Sequence, residues 1–175
     1  MPDGGMVASR CHYVGRAGRV EISGLRVAGL SGVFSPAHLR ERPPVRLIAS
    51  VKKKLYTYFT EDDVTRVLDA GPADVLLVHD WPSGVVAAAD HPALTGRRRY
   101  SMPDGPGNGH ARILVDLLAP RLVLAGHYRS WVTPTTRFVA LGHVDTGRDA
   151  FAVFRVGSDG GIQEVAEEGL TVKKY

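Results

Sequence analysis

Covalent cross-links have no place in this chain. It holds one cysteine, Cys11, so an internal disulfide is excluded and a reducing compartment, the cytoplasm, is the expected setting. Cys11 itself reads as a small buried hydrophobe rather than a nucleophile. Long apolar runs are missing too. None approaches the roughly 18 residues of a membrane-spanning helix, and no membrane partner is expected. The opening residues, Met1-Pro2-Asp3-Gly4-Gly5, carry neither the basic nor the apolar stretch of a secretion signal. No glycine-rich loop runs into a helix in the phosphate-cradling pattern, which argues against a nucleotide-binding P-loop. Ser31 and Ser83 lack the nucleophile-elbow pattern, which argues against a serine hydrolase.

What is present suits a packed core. The 175 residues are 44% apolar, enough for a single domain across 1–175. The net charge is +4, with basic clusters at Lys52-Lys53-Lys54 and Arg97-Arg98-Arg99. Such clusters admit phosphate-bearing partners, nucleic acid among them, although solvated loop charges give the same pattern.

The patterning reads as α/β. Arg19 to Leu30 predicts a hairpin turning at Ser23-Gly24. Ser35 to Lys54 has no period and reads as a long loop. Thr60-Glu61-Asp62-Asp63 starts a helix, with Thr60 as cap, Asp63 at the capping-box position and acids at the positive helix end. Val64, Val67 and Leu68 share a face of it, and Ala70-Gly71-Pro72 stops it. The apolar strand Val75-Leu76-Leu77-Val78 follows. A second long loop spans Trp81 to Gly107. Asn108 then opens a helix, as N-cap rather than metal ligand. Its expected apolar face is Ile113, Leu114, Leu117 and Leu118, and Pro120 ends it. The strand Leu122-Val123-Leu124-Ala125 comes next. The tail reads as an antiparallel run over Thr136–Leu141, Ala150–Val156 and Ile162–Val165, turning at Gly157-Ser158-Asp159-Gly160-Gly161.

Two of these strands run straight into a histidine. Val75–Val78 ends in His79-Asp80 before Trp81-Pro82 breaks it, and Leu122–Ala125 ends in Gly126-His127. Open α/β sheets place their chemistry at such strand ends. Two imidazoles delivered this way can converge on one divalent metal, Zn, Mn or Fe, with Asp80 orienting a ring or ligating directly. Either histidine alone reads as a hydrogen-bonded structural residue; their matching contexts together point to a site. His12, His38, His91 and His143 lie in loops or at strand ends without a partner pattern.

Four blocks occur in order: Val14-Gly15-Arg16-Ala17-Gly18, Gly24-Leu25-Arg26-Val27-Ala28-Gly29-Leu30-Ser31-Gly32-Val33, Leu77-Val78-His79-Asp80-Trp81-Pro82 and Leu124-Ala125-Gly126-His127. They resemble the calcineurin-like metallophosphoesterases, most closely their lariat RNA debranching branch. His-Asp-Trp-Pro is the most specific block, and the resemblance runs from Tyr13 to Val156. It implies an α/β (α+β) fold, a metallophosphoesterase-like β-sandwich flanked by helices. It also implies two metals roughly 3.5–4 Å apart that hydrolyse a phosphodiester or phosphomonoester. By the same resemblance His79 and His127 ligate one metal. The family's next ligand position falls on Arg129, which is always protonated and has no lone pair to offer. Arg129 is instead a candidate phosphate contact.

The family's Asp-x-His, Gly-Asp and Gly-Asn-His-Glu blocks are absent, so the chain resembles the C-terminal part of the family only. The expectation is an N-terminally incomplete domain over 1–175, lacking the first strands of its sandwich, that binds Mn, Fe or Zn weakly and is inactive as it stands. Bare edges are expected at the strands ending at Leu30 and His79, with self-association or pairing to the missing segment. Two alternatives stay open: a non-catalytic binding or regulatory remnant using the basic loops, and a half-domain completed by a partner chain.

Overall fold

A computed structural model of the chain describes residues 4–9, 11–41, 56–85, 107–126, 131–132, 138–141 and 152–165. The elements are β1 (Gly5–Ala8), β2 (Cys11–Tyr13), β3 (Ala17–Ile22), β4 (Leu25–Leu30), a 3-10 turn (Pro36–His38), α1 (Glu61–Asp69), β5 (Val75–Val78), α2 (Gly109–Leu118), β6 (Leu122–Ala125), β7 (Trp131–Val132), β8 (Phe138–Ala140), β9 (Phe154–Val156) and β10 (Ile162–Glu164). No helix among the described residues is long and apolar enough to cross a membrane.

Six strands form one mixed sheet in the order β3-β4-β5-β6-β8-β7. The inner four are parallel, and β3 and β7 join antiparallel at the edges. The path β4–α1–β5–α2–β6 explains this. A helical crossover returns the chain to a parallel neighbour, and here it does so twice. The fold is therefore α/β, a mixed sheet flanked by helices, as the patterning predicts. The same wiring corrects the expected bare edges. The strands ending at Leu30 and His79 are interior, since β4 lies between β3 and β5, and β5 between β4 and β6. The tail is also corrected. β8 pairs parallel with β6, while β9 and β10 keep the expected antiparallel pairing, as a separate hairpin.

Side-chain alternation sorts the sheet into two faces. Ala28, Leu30, Leu76, Val78, Val123 and Ala125 pack against Val64 and Val67 of α1 and Leu114 and Leu118 of α2. Val27, Val75, Leu122 and Val139 point the other way, where Phe154 and Ile162 of the β9–β10 hairpin pack on them. Leu76 and Leu114 are wholly buried, so truncating either to alanine costs about 3 kcal/mol, transfer plus cavity.

Local chemistry fixes the ends of the elements. Ser23 and Gly24 both have positive φ, 50° and 78°, the requirement of a two-residue type I′ hairpin turn. Thr60 and Asp63 form the expected capping box on α1, each side chain accepting from the other's backbone N–H. Asn108 caps α2, its side-chain oxygen accepting from the His110 and Ala111 N–H groups. The apolar face of α2 differs from expectation. Ala111, Leu114 and Leu118 are buried, while Ile113 and Leu117 are 45% and 67% exposed. Four apolar residues within six positions offer two stripes, and the small Ala111 decides which one lies close to the sheet. Ala119 ends α2 in the left-handed region at φ 46°, one residue before Pro120. Cys11 is exposed, not buried, because β2 pairs only with β1 in a two-stranded hairpin beside the main sheet.

One buried carboxylate ties together the N-terminal ends of the central strands. Asp74, just ahead of β5, accepts from the Arg26 N–H at 2.9 Å and from its guanidinium at 2.9 and 3.0 Å. Arg121 approaches the same carboxylate at 3.2 Å. The Asp74 carbonyl accepts from the N–H groups of Arg121 and Leu122. The hydrogen bonds from Arg26, above all, hold the Asp74 carboxyl far below the usual carboxylate range, and in turn Asp74 raises Arg26.

Candidate active site

β4, β5 and β6 finish level with one another. Leu30 pairs with Val78 and Val78 with Ala125. The next residues, Ser31, His79 and Gly126, therefore stand in one row, and the Gly126 N–H donates to the His79 carbonyl at 3.3 Å. Alternation turns His79 to the face opposite the helices and Asp80 to the helix side. A cleft of about 400 Å³ opens over that row. Gly29, Ser31, Leu77, His79 and Gly126 form its floor, and His12, Tyr13, Val14 and Gly15 form a wall.

Asp80 connects three segments at the floor. One oxygen lies 3.0 Å from Nδ1 of His79. The other accepts from the Phe34 N–H at 2.7 Å and, at 3.5 Å, from the side-chain amide of Asn108. The carboxylate thus fixes the chain leaving β4, the start of α2 and the His79 ring at once. A carboxylate only accepts, so Nδ1 of His79 carries a proton, and in the tautomer that this fixes the lone pair is on Nε2. This is the arrangement by which metal-binding histidines are oriented and made more basic. His79 is 38% exposed at its side chain and Asp80 16%: the ring is reachable and its support is sheltered. Asn108 is buried and its oxygen is consumed by the helix cap, which leaves it an N-cap, as expected. Beside the cap, the His110 ring packs 5.4 Å from Phe34 and 6.1 Å from Phe59.

Among the described residues no group of three or more His, Cys, Asp or Glu is placed to hold a metal ion. They bring two histidines, His79 and His12, to the cleft, the first with a carboxylate behind it. That donor set suits Mn, Fe or Zn. His127 and Arg129 lie outside the described residues, as do the basic clusters at 52–54 and 97–99 and His91 and His143. His38 stacks on Tyr58 with ring centroids 4.9 Å apart and meets the Ser35 hydroxyl at 2.9 Å. Sequence reasoning passed over His12 and Tyr13. Their place beside His79 comes from Val14, the next residue, lying on Gly29 of β4, for which no local spacing gives a signal.

No protein-family profile matches the chain. It is similar to lariat debranching enzymes. It is 27% identical to that of Arabidopsis thaliana across 98% of this chain and 45% of the relative. It is 29% identical to that of Schizosaccharomyces pombe across 99% of this chain and 39% of the relative. Against that of Caenorhabditis briggsae it is 31% identical across 73% of this chain and 28% of the relative. The chain therefore spans less than half the length of the curated relatives it matches.

Proposed function

We propose that this chain carries part of a metal-dependent phosphodiesterase site for branched RNA, of the lariat-debranching kind. The observation that carries the reading is His79, faced into a cleft at a strand end with Nδ1 tied to Asp80, in a chain similar to lariat debranching enzymes over nearly its whole length. A divalent metal bound there supplies a Lewis acid for a phosphoryl oxygen and lowers the pKa of a bound water.

The chain's own residues act around it. His79 offers Nε2 as a ligand, and Asp80 keeps the ring's proton on Nδ1, which places the lone pair on Nε2. His127, two residues beyond β6 in sequence, is the second nitrogen ligand. Arg129 pairs its guanidinium with a phosphate oxygen, which its planar fork of donors suits. With His79 and His127 as donors, and Asp80 turned to the helix side behind the His79 ring, this chain falls short of the roughly four ligands of a stable site. Metal binding is therefore loose, and turnover by the chain alone is negligible.

Calorimetric titration of the chain with Mn and Zn tests the ligand assignment. Weak binding that disappears in His79→Ala and in His127→Ala is expected. Tight binding that survives in the double variant overturns it. Rapid hydrolysis of bis(p-nitrophenyl) phosphate by the chain alone, unchanged in the double variant, would overturn the placement of the site.

A further inference from the structure

The cleft has a second wall that the metal-ligand reading does not use. That wall is the stretch from His12 to Gly15, and it is firmly seated. Val14 lies on the bare backbone of Gly29, 3.4 Å from where a Cβ at that position would stand. The Ser31 N–H donates to the Arg16 carbonyl at 2.7 Å and the Ser31 hydroxyl to the Gly15 carbonyl at 3.3 Å. The stretch is thereby fastened to the same strand end that lies beside His79. Both residues at its head line the cleft. Tyr13 is 38% exposed. The His12 ring is exposed and, among the described residues, has no hydrogen-bond partner. Its donors are open to a ligand on a wall that already has its backbone fixed. An imidazole and a phenol beside a mixed floor of Gly29, Ser31, Leu77 and His79 match a phosphate joined to a flat ring.

We propose that His12 and Tyr13 are the substrate-holding wall of this cleft, His12 donating to a phosphoryl oxygen and Tyr13 carrying the attached nucleoside. The inference rests on the phosphodiesterase reading but concerns residues that touch no metal. Hydrogen bonding to a charged oxygen and base–aromatic stacking are each strong enough to read out in a binding assay.

The probes are adenosine 5′-monophosphate and inorganic phosphate, titrated against the full chain with binding followed by NMR. His12→Ala weakens both by about tenfold. Tyr13→Ala weakens the nucleotide by about tenfold and leaves phosphate unchanged. Tyr13→Phe restores nucleotide binding, which separates stacking from a folding defect. Mn affinity stays at the unsubstituted value in all three. No nucleotide binding at millimolar concentration, or equal affinity in His12→Ala and the unsubstituted chain, overturns the proposal. Loss of Mn binding in His79→Ala alongside unchanged nucleotide binding in His12→Ala overturns this inference alone. Retention of Mn binding in His79→Ala and His127→Ala overturns the metal-site reading instead.

Discussion

Asp74 and Asp80 stand six residues apart at opposite ends of β5, and their surroundings could hardly differ more. Asp74 faces two arginines and a backbone N–H. Every partner it has is fixed in charge, and neither arginine lines the cleft beside His79. Asp80 faces a backbone N–H, an amide and an imidazole, and its imidazole lines the cleft. One carboxylate holds strands together; the other holds a side chain in position for something else. A buried acid is not informative by itself. The chemistry of its partners, and where those partners lead, separates scaffold from site.

Removing each acid should break the two ends differently. Asp74→Ala strands two guanidinium groups beside a carboxylate-sized hole and should destabilise the chain by about 3 kcal/mol, read as a lower urea midpoint, with Mn affinity unchanged. Asp80→Asn keeps the shape and the link to Phe34 but no longer fixes the proton on Nδ1 of His79. Metal affinity should fall by about 10–100-fold while the urea midpoint moves little. Equal loss of stability from both substitutions would erase the distinction.

Acid sharpens the contrast. The Asp74 carboxyl titrates far lower in the folded chain than the roughly 3.9 of an unfolded aspartate. A depressed folded value stabilises the chain at all pH above the unfolded value, and that stability drains as pH falls towards the folded one. Urea midpoints should hold from about pH 5 upward and drop below about pH 4, and Asp74→Asn should flatten that drop. The smallest effect lies two residues before Arg121, at the same end of the sheet. Ala119 sits at φ 46°, a strain that glycine lacks. Ala119→Gly should stabilise by about 1 kcal/mol and leave metal binding alone.

The sequence shows some of this plainly. The cap and capping box at Thr60 and Asp63, the Asn108 cap, the turn at Ser23-Gly24 and the strands ending at His79 and Gly126 all rest on interactions within a few residues, and each is visible as spacing. The Asp74 clamp is not, because Arg26 and Arg121 arrive from distant strands and Asp74 looks like one more polar residue after Gly71-Pro72. The parallel pairing of β8 with β6 has no signature in the period of β8 itself. The expected stripe of α2 is wrong at Ile113 and Leu117, because helix geometry alone does not choose between Leu117 and Ala111. His12 reaches the cleft through the packing of Val14 on Gly29, a contact between segments that sequence spacing does not encode.

The level finish of β4, β5 and β6 has a consequence for what changes this chain can tolerate. His79 and Asp80 are neighbours on a strand whose side chains alternate, so their opposite destinations depend on counting. Inserting or deleting one residue between Val75 and Val78 would exchange them, sending the imidazole in among Phe34 and the α2 cap and the carboxylate out over the cleft. The composition would be nearly unchanged, yet Nε2 would no longer be presented and the Phe34 N–H would lose its acceptor. Substitutions within β5 can be graded by volume, but a change of length there is all-or-nothing.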